Sequence, residues 1–218
     1  IQGANMLLGL ELEILVILIP VLIFSLCIHE FSHGYIAYLL GDNTAAYEGR
    51  LTLNPLSHLD PMGSLMLLLV GFGYAKPVPV NPSNFKDPRL DMMKVAFAGP
   101  ASNLILCLAG CLTMRIIGIE NLTEYRDFNS LGLSLYYFSS INMLLAVFNM
   151  IPVYPLDGGQ IFGAIISEKY PNFNWKLQKY GPQVLFAIIF FGIITGYSII
   201  GLIMYPFRLL VLILSGLS

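Results

Sequence analysis

One apolar run, from residue 12 to residue 40, limits most what this chain can fold into. It reads LEILVILIPVLIFSLCIHEFSHGYIAYLL and stops at Gly41-Asp42-Asn43, where glycine and asparagine end a helix. A bilayer span needs about 20 predominantly apolar residues, and this run exceeds that. Its second half nevertheless carries His29, Glu30 and His33. A charged side chain at mid-bilayer costs about 2.5–3.5 kcal/mol on insertion scales. Such a residue faces a protein interior or a wet cavity, and it marks a working site by default.

The remaining sequence also points to lipid as solvent. Of 218 residues, 56% are hydrophobic and 11% charged, against about 25% charged in soluble domains. Further apolar runs cover residues 93 to 118, 132 to 151 and 182 to 217. The last is long enough for two spans hinged near Gly196, or for one span plus an interfacial helix. Residues 61 to 74 are apolar but short, which suits a re-entrant or interfacial element. Residues 42 to 60, with a possible strand in GRLTLNP, and residues 75 to 91, 119 to 131 and 168 to 180 read as polar connections. The expected fold is all-α and polytopic: about four to six transmembrane helices with a short re-entrant or β element after the first. One domain, residues 1–218, is the simplest organisation, with residues 1–5 a possible remnant foreign to it. Cys27, Cys107 and Cys111 lie in apolar runs and indicate no disulfide framework. A net charge of -2 and the lack of a basic arm argue against a nucleic-acid partner.

Charge also orients the chain. If residues 61 to 74 do not cross, Arg50, Lys76, Lys86, Arg89, Lys94, Lys169, Lys176 and Lys179 share one side. Arg115 and Arg126 take the other. The positive-inside rule puts the first side in the cytoplasm.

His29-Glu30-Phe31-Ser32-His33 carries the chemistry. Positions i and i+4 of a helix lie one turn apart on one face, so both imidazoles can reach one Zn²⁺ at about 2.0–2.1 Å. Glu30 then stands beside the metal without binding it, placed to take a proton from water. The plain alternative is two buried histidines hydrogen-bonded to other helices with Glu30 as partner. A catalytic zinc needs a third protein ligand and an open position. Asp157, between prolines and glycines just past an apolar run, is favoured, because broken helix at membrane depth survives only where protein or a wet cavity surrounds it. His58 is the next candidate, while Asp42, Glu48 and Asp60 read as solvated or turn-capping.

With these residues placed, the chain resembles the site-2 protease family of intramembrane zinc metalloproteases. The resemblance rests on HEFSH, NPLSHLDPMGS at 54 to 64, AGPASN ending at Asn103, and FNMIPVYPLDGG at 148 to 159. It implies that His29, His33 and Asp157 bind one Zn²⁺ and that Glu30 is the catalytic acid/base. It also implies that Asn149 helps hold substrate or oxyanion. Asn103 is a weaker candidate for that role, with a structural hydrogen bond across helices favoured. The short loops resemble the membrane-only branch without PDZ or CBS domains. The implied substrate is a transmembrane helix of another protein, unwound locally before cleavage, and residues 48 to 53 or 75 to 81 are candidates for the strand edge that captures it. The implied setting is a prokaryotic cell membrane with the site towards the cytoplasm. A metal transporter using the same ligands is the competing class. Transport favours several sites along a path and needs no Glu30.

Overall fold

The computed structural model describes residues 12–70, 73–118, 123–124 and 127–217. Eight α-helices carry the fold among them: α1 (Leu12–Leu39), α2 (Thr44–Tyr47), α3 (Pro61–Val70), α4 (Pro88–Ile117), α5 (Ser130–Asn149), α6 (Asp157–Ile166), α7 (Pro171–Thr195) and α8 (Ile199–Ser215). Helices α1, α4, α5 and α7 are long and apolar enough to cross a membrane, and α8 is a shorter apolar helix of 17 residues. Residues 1–5 and Arg126 lie outside the described residues.

Local chemistry sets the helix ends. Asp87 accepts the Leu90 N–H at 3.0 Å and Pro88 opens the first turn of α4. Asn129 and Ser198 cap α5 and α8 in the same way, through Gly132 and Gly201. Gly196 ends α7 at φ +74°, a conformation that costs glycine no Cβ clash. The hinge expected near Gly196 is therefore where the chain breaks.

Helix α4 is the axis of the bundle. Helix α1 runs antiparallel to it: Ser25 and His29 reach Asn103, whereas Ala37 packs with Val95 and Phe85. Helix α5 is antiparallel as well, with Asn142 on Asn103 and Ser139 beside Gly110. Helix α6 turns back along α4, and just beyond it Glu168 pairs with Arg89 at 2.7 Å. Helix α7 packs Leu185 and Ile189 on Leu156. Helix α8 then lays Val211 against Cys107, Cys111 and Met143. Outward faces stay apolar: Leu12, Ile116, Ile194 and Leu202 are each at least three-quarters exposed, as lipid-facing side chains are.

Two connections differ from expectation. The GRLTLNP stretch forms a turn at Gly49, bends at Leu51 and Thr52 and the start of a 3-10 turn at Pro55, and no strand. Instead Leu59 and Ala75 form an isolated antiparallel bridge, and Lys76 N donates to His58 O at 2.8 Å. The chain entering α3 and the chain returning from it therefore meet at one place. In the polar stretch 119 to 131, Thr123–Glu124 pairs antiparallel with Asp127–Phe128.

Candidate metal centre

His29 and His33 project from one face of α1, both buried, with ring centroids 4.7 Å apart. Their Nε2 atoms are 3.1 Å apart. Asp157, the first residue of α6 and also buried, brings Oδ2 to 3.1 Å from His29 Nε2 and 3.4 Å from His33 Nε2. Among the described residues, these three form the one group of His, Cys, Asp and Glu placed to hold a metal ion.

The outer hydrogen bonds settle which ring nitrogen faces inward. His33 Nδ1 lies 2.7 Å from the carbonyl of Val95. A carbonyl only accepts, so Nδ1 carries the proton and the neutral ring turns the lone pair of Nε2 inward. His29 Nδ1 lies 2.6 Å from Asn103 Oδ1. Asn103 Nδ2 donates to Ser25 O at 3.2 Å and to Asn142 Oδ1 at 2.8 Å, which fixes its amide orientation. Asn142 Nδ2 in turn donates to Phe138 O and Ser25 Oγ. This chain of amides, wholly buried across α1, α4 and α5, holds the imidazole of His29 in one tautomer.

A tetrahedral metal fits the triangle. Ligand atoms bonded at about 2.0–2.1 Å in a regular tetrahedron stand about 3.3–3.4 Å apart. The three edges here are 3.1, 3.1 and 3.4 Å. Asp157 Oδ2 is buried without a hydrogen-bond partner, so a cation is what its lone pairs lack. Gly99 keeps the space open. A Cβ there would fall 2.6 Å from His29 Nε2 and closer still to His33 Nε2.

Glu30 stays outside the triangle. Its Oε2 accepts the backbone N–H of Val78 at 3.1 Å. Asn149, half-buried at the end of α5, donates to Leu145 O at 3.0 Å. Asn103 gives both N–H groups of its amide to the network above, and its Oδ1 faces His29 Nδ1. His58 is buried but apart from the cluster, its Nε2 on Thr52 O at 2.8 Å. The three cysteines are free and buried. Sequence reasoning missed Asn142. A lone amide in the middle of an apolar run was the available signal.

Comparison with known proteins points to the same class of enzyme. The profile of peptidase family M50 matches residues 113–192. YwhC of Bacillus subtilis, named as a candidate zinc metalloprotease, is 38% identical over 191 residues, covering 85% of each chain. Rip2 of Mycolicibacterium smegmatis, named likewise, is 28% identical over 71% of this chain and 56% of its own. The zinc metalloprotease MJ0392 of Methanocaldococcus jannaschii is 28% identical over 82% of this chain. The match spans only 43% of that relative's own length. No solved structure gives a significant match.

Proposed function

We propose, from the premise that this chain belongs to peptidase family M50, the site-2 proteases, that it is a zinc endopeptidase cutting transmembrane segments of other proteins within the bilayer. The observation that carries the reading is the convergence of His29, His33 and Asp157, with ligand atoms 3.1–3.4 Å apart in a buried interior.

His29, His33 and Asp157 hold the metal in this reading, and the amides of Asn103 and Asn142 keep His29 aimed at it. Zinc, when bound, supplies Lewis acidity that polarises a carbonyl and brings the pKa of a water towards about 7. Glu30 takes the proton of the attacking water and passes it to the leaving amine. Asn149 retains one amide N–H beyond its bond to Leu145 and is assigned to the substrate carbonyl. Residues 61 to 74 enter and leave on the cytoplasmic side as a re-entrant element. The bridge between Leu59 and Ala75 supports that assignment. The whole chain acts as one catalytic unit in a cell membrane, with the site reached from the cytoplasm. The bias of Arg50, Lys76, Lys86, Lys169, Lys176 and Lys179 to that side supports this orientation.

The test pairs metal analysis with cleavage of a reporter transmembrane helix. Wild type should carry about one zinc per chain and cleave. Glu30→Gln should keep the zinc and lose cleavage by about 10²-fold or more. A Glu30→Gln protein that cut at the normal rate would remove the assignment of the base. Metal flux without cleavage by wild type would favour a transporter.

A further inference from the structure

We infer that Arg50 is a positioning residue: it clamps the backbone of residues 76–78 so that the N–H of Val78 holds the carboxylate of Glu30. The inference deepens the peptidase reading above and rests on it.

Arg50 is 8% exposed, just after the turn at Gly49 with φ +65°. Its Nη2 donates to the carbonyls of Lys76 at 2.8 Å and Pro77 at 3.2 Å. No carboxylate pairs with it among the described ion pairs, and its Nε has no partner. Burying a guanidinium costs several kcal/mol, and neutral carbonyls offset that less well than an ion pair does. What the guanidinium provides is geometry. One rigid, planar donor group spans two consecutive carbonyls and fixes both peptide planes.

The next peptide is the one that matters. Val78 sits between Pro77 and Pro79. Proline has no N–H, so across these three residues the amide of Val78 is the one backbone donor. It points at Glu30 Oε2, 3.1 Å away. The N–H of Lys76 is already taken by His58 O. The side chain of Val78 is buried against Gly34, one turn along α1 from Glu30, and Leu51, next to Arg50, reaches the same glycine. Arg50, Leu51 and Val78 thus close over the face of α1 that carries Glu30. Without the clamp, the segment can slide, the donor leaves, and the carboxylate samples rotamers that miss the water.

The experiment measures kcat and KM on a reporter helix, zinc content, and hydrogen exchange of the peptide spanning residues 74–80. The proteins are wild type, Arg50→Gln, Arg50→Lys, Val78→Pro and the double variant Arg50→Gln with Val78→Pro. Arg50→Gln should lower kcat by about ten- to a hundredfold, the scale of a small misplacement. KM should stay within about twofold, zinc should stay bound, and the Val78 amide should exchange faster. Arg50→Lys should recover part of the loss. Val78→Pro should lower kcat alike, and adding Arg50→Gln to it should cost nothing more. Additive losses, an effect on KM alone, or unchanged exchange at Val78 in Arg50→Gln would overturn the inference. If Arg50→Gln fails to fold, Arg50→Lys still decides through exchange of the Val78 amide and kcat, and Val78→Pro through kcat alone. Failure of the peptidase reading shows separately, as wild type without cleavage, while the exchange arm still reports on the clamp.

Discussion

At Gly99 the backbone of α4 passes so close to the two imidazoles that a methyl group would occupy the space between them. Alanine favours a helix interior by about 1 kcal/mol over glycine. In Gly99→Ala that gain is set against overpacking of about 1–3 kcal/mol, because the new Cβ meets both imidazoles, so stability should be unchanged or modestly lower while zinc content drops from about one per chain towards zero. Metal analysis beside thermal unfolding separates the two effects, and stoichiometric zinc in Gly99→Ala would disprove the account. Asp42 shows a different use of a carboxylate. It is wholly buried beyond the end of α1, and burial alone would raise its pKa. Hydrogen bonds from Thr44 Oγ1, Thr44 N, Asn84 Nδ2 and Asn81 N outweigh this and hold it below the usual carboxylate value. A depressed folded-state pKa means stability that is present above about pH 3.9 and lost as pH falls through the lower folded value. Asp42→Asn should lower the unfolding temperature at pH 7 and flatten its dependence on pH below about 4. An equally steep acid transition in the variant would remove Asp42 from that role. At this scale the sequence was legible where charge met lipid: His29, Glu30 and His33 stand out in an apolar run, and Asp157 stands out between Pro155 and the glycines at 158 and 159. Val95 O and Val78 N were invisible, because backbone groups have no signature until the fold aims them.

Helices α6 and α7 meet through Tyr154. Its ring passes Gly163 of α6, and its backbone lies against Gly181 of α7, where a Cβ would sit 2.8 Å from Tyr154 Cβ. Two residues further, Leu156 packs into α7 through Leu185 and Ile189, and Asp157 follows at once. Asp157, proposed above as a metal ligand, is thus held from behind by α7. Gly181→Val should push the 150–156 loop away, at a cost of about 1–3 kcal/mol in overpacking, and weaken metal affinity at least about tenfold. Gly192→Val, at a glycine where an added Cβ would meet nothing nearer than 3.5 Å, is the control. Equal zinc affinity in both variants would show that α7 does not position Asp157. Gly158 and Gly159 stand where glycine is expected to break a helix, yet they form the first turn of α6. Each lies against the backbone of residues 150–154, where a side chain would not fit. Periodicity could not reveal this, because close approach of two backbones is a tertiary fact. Residues 171 to 180 of the polar stretch 168 to 180 likewise became the first turns of α7. Pro171 starts it, and Lys179 lies over Trp175 at 4.8 Å and Tyr180 at 5.3 Å. Tryptophan, tyrosine and lysine are interface residues of membrane helices, so low hydropathy there marked depth and not the end of the helix.

The paths of the helices make a topology that hydropathy left open. Residues 182 to 217 allowed either two spans or one span with an interfacial helix, and the decision lies in the direction of α8. Val211 O meets Cys111 Sγ at 3.9 Å, and Gly216 lies against Arg115. Ile200, at the other end of α8, packs near Leu156 and Ile189. Helix α8 therefore runs parallel to α4 and finishes beside its end. Helix α7 starts just after Glu168, which is tied to Arg89 at the beginning of α4. The chain from Pro171 to Ser215 thus makes one net passage across the bundle, broken at Gly196. Two antiparallel spans would have returned residue 215 to the side of Arg89. Glu48 lies on the near side of this passage and Leu217 on the far side, so a cysteine at each should react with a membrane-impermeant maleimide from opposite faces of the membrane. The three native cysteines are buried and should stay silent. In the orientation set by the basic loops, Leu217→Cys is labelled on intact cells, and Glu48→Cys only after the membrane is opened. Labelling of both from the same face would mean that α7 and α8 cross separately, and Asp157 would then lose the support that a single broken passage gives it.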